Sequence, residues 1–172
     1  MSHPLTLRRL TADDAAAFRE IRLEGLRRTP QAFTAALSEE EVRPLEDFRG
    51  VVETSHVLGA FDADDGLQAV MGLRITDSPR TGHVGLIWGV YLREAVRGTG
   101  LSRRMLETLV EAARGRVEAL DLGVGVYNTP ARKLYGSVGF VEMAHLPRVV
   151  RVNDVYYDEI LMRLTFPPAQ MP

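Results

Sequence analysis

The sequence predicts an α+β fold in one domain, and three observations predict it. Segments of strand period and helix period alternate in the order βααβββαβαββ. No repeat, linker or low-complexity stretch divides the 172 residues. The apolar fraction, 45%, is ordinary for a globular protein, and a chain of this length buries roughly 70% of its unfolded surface. The expected domain therefore covers residues 1–166, with 167–172 as a loose tail.

Leu5, Leu7 and Leu10 mark an opening strand. Thr11, followed by Asp13 and Asp14, suits a helix N-cap with acids in the first turn. Phe18, Ile21, Leu23 and Leu26 then form a helical stripe that Pro30 stops. A second helical stretch is expected between Phe33 and Val52, interrupted near Pro44, with Glu39, Glu40 and Glu41 as a solvated face. Val57 to Phe61 is a strand, and Asp64-Asp65-Gly66 turns the chain into the alternating run Leu67, Ala69, Met71, Leu73, Ile75. Val84 to Leu92 is long and mostly apolar, as suits a central strand covered on both faces. Its interior glycines, Gly85 and Gly89, mark a bulge or the close approach of a ligand.

Beyond Gly100, the residues Leu101, Met105, Leu109 and Ala112 recur at helical spacing until Gly115. Leu120, Leu122, Val124 and Val126 alternate as a strand, and Ala131 to Val138 form a short helix closed by Gly139. Val149 to Val152 and Val155 to Leu164 flank Asn153-Asp154 as a hairpin.

Charge and composition remove several functions. The net charge of −2 gives no pull toward nucleic acid. The absence of cysteine excludes disulfides, thiolate zinc sites and a cysteine nucleophile. His3, His56, His83 and His145 show no ligand spacing, so no metal is expected. Neither a signal-peptide run nor a membrane-length apolar stretch is present, which points to a soluble cytoplasmic protein.

Most informative is Val90-Tyr91-Leu92 followed by Arg97-Gly98-Thr99-Gly100-Leu101-Ser102, a strand end, a basic glycine loop and an immediate amphipathic helix. N–H groups at a helix start lack internal partners and carry partial positive charge. Glycines admit a phosphate closely, and Arg97 and Arg103 add charge. The alternative is a plain glycine-led helix start. The loop lacks the G-K-[ST] ending of nucleoside triphosphatases, and Arg103 stands where the dinucleotide fingerprint needs its third glycine.

These residues resemble the GNAT superfamily of acetyl-CoA-dependent N-acetyltransferases. The family signature R/Q-x-x-G-x-G/A is met by Arg97, Gly100 and, imperfectly, Ser102. A second segment, N-x-x-A-x-x-L-Y-x-x-x-G-F, is met at full spacing by Asn128, Ala131, Leu134, Tyr135, Gly139 and Phe140. The late strand Tyr157 to Met162 and the element order are similar too, whereas Leu92 stands where many relatives have proline.

The resemblance implies a three-layer fold: a mixed, mostly antiparallel sheet of about seven strands with a splayed central pair, flanked by helices. It implies acetyl-CoA as donor, no metal, and direct transfer to a primary amine of a small molecule or a protein. The backbone of Val90, Tyr91 and Leu92 would hold the pantetheine arm, with a fixed N–H near Val90 meeting the oxyanion. Arg97, Gly98, Thr99, Gly100, Leu101, Ser102 and Arg103 would hold the pyrophosphate, and Asn128 the cofactor or a water. Tyr135 would protonate the leaving thiolate. The alternative for Tyr135 is a packing role, and that for Trp88 is core rather than pocket lining. Glu24, Glu39, Asp121, Glu142 or a water chain remain open as base, with Glu24 or one of Glu39–Glu41 open as a contact to a cationic acceptor. A homodimer paired through the C-terminal strands is expected, since small mixed sheets must cover their edges. Two rival functions remain: a non-catalytic acyl-CoA sensor on the same fold and, more distantly, a nucleotide-binding protein.

Overall fold

The computed structural model describes residues 5–167, so nearly all of the proposed tail lies outside the described residues. Seven strands form one sheet: β1 (Thr6–Arg9), β2 (His56–Phe61), β3 (Leu67–Arg74), β4 (Val84–Leu92), β5 (Ala119–Gly125), β6 (Val141–Val152) and β7 (Val155–Thr165). Their spatial order is β1-β2-β3-β4-β5-β7-β6, and every pair is antiparallel except β4 with β5.

Two apolar clusters place helices on both faces. On one face, α1 (Ala15–Arg28) and α3 (Leu45–Thr54) bring Phe18, Ile21, Phe48 and Val52 against Val57, Phe61, Val70 and Tyr91. On the other, α4 (Leu101–Ala113) brings Leu101, Met105, Leu106 and Leu109 against Met71, Leu73, Ile87 and Leu120, joined by Tyr135 of α5 (Thr129–Val138). Each fully buried leucine contributes about 1.5–3 kcal/mol relative to exposure, so the α4 seam is a principal stabiliser.

Local signals explain the boundaries. Asp14 accepts from the Thr11 N–H (2.8 Å) and takes a two-pronged contact from Arg8 (2.7 and 2.9 Å), fixing the chain's entry into α1. The Phe33–Val52 stretch is two helices, the single turn α2 (Leu37–Glu40) and α3, divided at Pro44. Glu40 does not belong to a solvated face. It is 6% exposed and receives Arg22 through both oxygens (2.7 and 2.8 Å), pinning α2 to α1. Removing one partner of such a pair costs about 3–5 kcal/mol.

Two departures from the sequence pattern concern the C-terminal half. Asn128 caps α5 by accepting from the Ala131 N–H (3.2 Å), so this helix starts earlier than Ala131. Strand β6 begins at Val141 rather than Val149, with register shifts around Met143 and around Pro147-Arg148, where Arg148 has φ +58°.

Within the sheet Gly72 of β3 faces Trp88 of β4, and a Cβ there would come within 2.6 Å of the indole Nε1. The Trp88 ring is therefore seated on backbone. Gly72→Ala is expected to destabilise the fold by about 1–3 kcal/mol through this overpacking, read as a lower melting temperature with shifted tryptophan fluorescence. An unchanged melting temperature and spectrum would contradict this packing.

Candidate functional site

The site is organised by where β4 and β5 part. They pair only through Val84–Ala119, Gly85–Leu120 and Leu86–Asp121. Beyond that, β4 stays with β3 as far as Leu92, and β5 stays with β7 as far as Gly125. The facing backbone edges of β4 and β5 are left without a strand partner. This is the splayed central pair expected from the sequence resemblance.

A bulge sits on β4 beside this gap. Gly72 pairs with Trp88 and Val70 with Tyr91, so β4 has one residue more than β3 there. Gly89 has φ +61°, a conformation other residues rarely adopt, and Val90 follows it directly. The bulge turns backbone groups near Val90 away from the regular ladder, where a developing oxyanion could meet a fixed N–H. On the α1 face, the Arg22 guanidinium lies 3.6 Å from where a Gly89 Cβ would be. Trp88 is half-buried beside it, and its Nε1 has no hydrogen-bond partner.

At the end of β4, Gly98 (φ +74°) and Gly100 (φ +83°) are both left-handed, and a Cβ on either would meet nothing within 4 Å. Gly100 is the N-cap of α4, whose first internal hydrogen bond runs from the Arg104 N–H to Gly100 (3.2 Å). The N–H groups of Leu101, Ser102 and Arg103 precede it and have no carbonyl partner within the helix. This geometry can hold a phosphate at a positive helix end.

The basic side chains are placed differently from the simple expectation. Arg97 turns back, donating from Nε to the Leu92 carbonyl (2.9 Å) and lying 5.8 Å from the Tyr91 ring. It helps line a cavity of about 540 Å³ with Glu24, Arg28, Tyr91 and Arg93 on the α1 face. The Thr99 hydroxyl is taken up by the Val96 carbonyl (2.8 Å). Arg103 binds Glu107 (3.2 Å) and the Ser137 hydroxyl (2.6 Å), tying α4 to α5. The Tyr91 hydroxyl donates to Glu24 (3.0 Å), which holds its side chain on the α1 face, and its backbone pairs with Val70 of β3.

The family model for the GNAT acetyltransferases matches residues 19–140. The chain belongs to the GNAT family. It is an acetyltransferase whose acetyl donor is acetyl-CoA. Comparison with curated protein sequences finds no match. Among solved structures, yncA from Salmonella typhimurium, determined with its cofactor acetyl-CoA, is 20% identical, with TM-score 0.83 over 98% of each chain. A ribosomal-protein-alanine N-acetyltransferase from Brucella melitensis is 24% identical, with TM-score 0.81 over 94% of this chain and all of its own. A GNAT acetyltransferase from Streptococcus pneumoniae is 20% identical, with TM-score 0.80 over 95% of this chain. At these identities the likeness is one of fold.

Within this GNAT frame Tyr135 is 6% exposed, its ring 6.1 Å from that of Phe140. Burial pushes its pKa up to about 12. Asn128 spends its Oδ1 on capping α5 and keeps its amide N–H groups for another partner. The candidate bases are occupied: Asp121 by Arg163 (2.6 and 2.7 Å), Glu142 by Arg132 (2.7 Å), and Glu24 by Tyr91 and Arg93 (2.9 Å). Glu39 is exposed and accepts the Ala36 N–H (3.2 Å). Among the described residues, no cluster of His, Asp and Glu able to hold a metal occurs, and no helix is long and apolar enough to cross a membrane.

The carboxylate of Glu159 is the residue the sequence reading passed over. It is half-buried on β7 with no ion-pair partner among the described residues, and burial raises its pKa. The signal was faint, two glycines at alternate positions of the neighbouring strand.

The loop geometry separates charge from backbone shape. Asparagine and aspartate tolerate left-handed φ about equally and differ in charge. Gly100→Asp is expected to abolish most of the rise in melting temperature given by acetyl-CoA, while Gly100→Asn retains much of it. Equal protection of both variants would remove the helix start as the anion site.

Proposed function

We propose that one domain spanning residues 1–166 acts in the cytoplasm to transfer an acetyl group from acetyl-CoA directly to a primary amine, on a small molecule or a protein. The single observation that carries this reading is the bulged, unpaired stretch of β4 at Gly89–Val90, which opens on the gap and runs into the glycine loop of α4. Val90 and Leu92, on either side of Tyr91, offer backbone groups to the pantetheine arm as an added strand would. Arg97 to Arg103 offers the pyrophosphate its helix start, and Asn128 offers its free amide N–H groups. Direct transfer accords with a chain that has no cysteine to carry an acyl group. The amine nitrogen attacks the thioester carbon, the oxyanion forms at the Val90 N–H, and the carbon–sulfur bond breaks as the adduct collapses.

Tyr135 is the acid in this scheme. With its pKa at about 12, its phenol is fully protonated at neutral pH and is a weaker acid than a thiol of about 8.5. It therefore acts by donating a hydrogen bond as charge builds on sulfur. The proton that the sulfur receives comes from the adduct's ammonium, which is far more acidic than the phenol.

Tyr135→Phe tests enzyme against non-catalytic acyl-CoA sensor. Released CoA is measured with ethylamine, spermidine and a peptide bearing an N-terminal alanine. Kcat is expected to fall about 10²–10⁴-fold with acetyl-CoA affinity nearly unchanged. Single-turnover transfer as fast as the wild type would take Tyr135 out of the chemistry. No alkaline limb from this group should appear below the instability of the protein, because its ionisation lies near 12.

The same chain is proposed to pair with a second copy through β6 and β7. β6 is an edge strand, and Val141, Met143, Val155 and Tyr156 are exposed along the hairpin. Sedimentation at micromolar concentration should give twice the monomer mass, and Met143→Glu with Tyr156→Glu should return it to one. A monomeric wild type would refute the pairing.

A further inference from the structure

On β5 the alternating residues Leu122 and Val124 pack toward α4, and the intervening positions, Gly123 and Gly125, face the other side. Glycine there clears a lane across the strand. A Cβ at Gly123 would come 3.0 Å from the Glu159 Oε2, so that carboxylate lies over Gly123. Gly125, which pairs with Glu159, lies under the Tyr127 ring. In the sheet order β4-β5-β7, only β5 separates Glu159 from the gap. Neighbouring strands stand about 4.8 Å apart, a span one glutamate side chain covers when no side chain blocks it.

The surroundings isolate this carboxylate. From β5 and the loop after it, Tyr127 faces it, and Tyr157 of β7 packs edge-on against Tyr127 at 5.8 Å. From β6, the residue opposite is Leu146. Further along this face, Asp121 and Arg163 satisfy each other. The turn Pro30–Ala32, which lies against β5 and β6, brings no charge. Across the gap, Arg22 is held by Glu40. Glu142 and Asp158 have their own partners, Arg132 and His145.

We propose that Glu159 is the general base of the transfer, taking the proton from the acceptor ammonium as it reaches the gap from the face opposite α4. The inference rests on the transfer reading above. The alkylammonium loses one proton to Glu159, its nitrogen pair forms the bond to the thioester carbon, and as the carbon–sulfur bond breaks the adduct's second ammonium proton goes to the departing sulfur beside the Tyr135 hydroxyl. The proton on Glu159 passes to solvent once the amide has left. An ordinary carboxylate is a poor base for an ammonium near 10.4. Burial without a counter-ion raises the Glu159 pKa, and the same desolvation lowers that of a bound ammonium, so the two approach each other.

The experiment measures kcat/KM against pH for wild type, Glu159→Gln and Gly123→Ala, with the three amines named above. Wild-type activity should rise with pH through an acid limb above the ordinary glutamate range, since the unprotonated carboxylate is the working form. Glu159→Gln should lose about 10²–10⁴-fold and the limb with it, while acetyl-CoA still raises the melting temperature as in wild type. Gly123→Ala keeps the carboxylate but displaces it, and should lose activity with the limb retained. Glu159→Gln with wild-type rate and limb overturns the base alone. Loss of acetyl-CoA protection in Glu159→Gln makes the residue structural and also overturns it. A wild type that releases no CoA from any of the amines overturns the transfer reading, and the base falls with it.

Discussion

The pairing of β4 with β5 stops after three residue pairs, and the site follows from that stop. Each strand is held by its other neighbour, β4 by β3 through Leu92 and β5 by β7 through Gly125, so neither can close the gap without breaking an intact ladder. A backbone N–H or C=O left unsatisfied away from water costs about 1–3 kcal/mol. The open edges therefore favour an extended guest with amides at peptide-like spacing. The pantetheine arm of acetyl-CoA is such a guest, and the glycine loop proposed for its phosphates follows β4 in the chain.

Glycines serve this arrangement for different reasons. Gly85 lies where the strands are still together, and a Cβ there would meet the Leu120 side chain at 2.8 Å. Gly89 supplies a left-handed residue at the bulge, and Gly100 supplies one at the α4 cap. Gly123 needs neither, since its φ is unremarkable and its role is to leave room. Closeness, backbone shape and empty space are three separate demands on one residue type.

The elements that carry strong local signals were legible in the sequence. The strand-loop-helix from Val84 to Ala113 announced itself by an apolar run, paired glycines and a clean helical stripe, and the bulge at Gly89 was foreseeable from an interior glycine. What was not legible depends on distant partners. Strand β6 from Val141 to Arg148 is an exposed edge containing Pro147, so no alternation of buried residues marks it, and its register with β7 is a tertiary fact. Glu40 sits among three consecutive glutamates, and only the meeting with Arg22 buries it. Arg97 carries the signature charge but is drawn back to the Leu92 carbonyl, a local hydrogen bond that spacing does not encode. Glu159 was hidden for the same reason: its meaning comes from glycines on another strand.

Burial acts on the two proton-handling residues with opposite chemical results. Removing water disfavours the charged form of any group. For Tyr135 that keeps the hydroxyl protonated up to about 12, which preserves a donor. For Glu159 it makes the carboxylate a stronger base, because its neutral acid is the form favoured by desolvation. The strand alternation places Ile160 and Met162 in the cluster with Tyr135, so Glu159, between Ile160 and Asp158, faces the opposite side of the sheet. In the proposed transfer Glu159 takes a proton from the amine at one face and yields it to solvent, while the Tyr135 hydroxyl meets the sulfur from the other. A closed sheet would insulate the two faces. The proposed division of labour between the two faces therefore depends on the same splay that leaves β4 and β5 without partners.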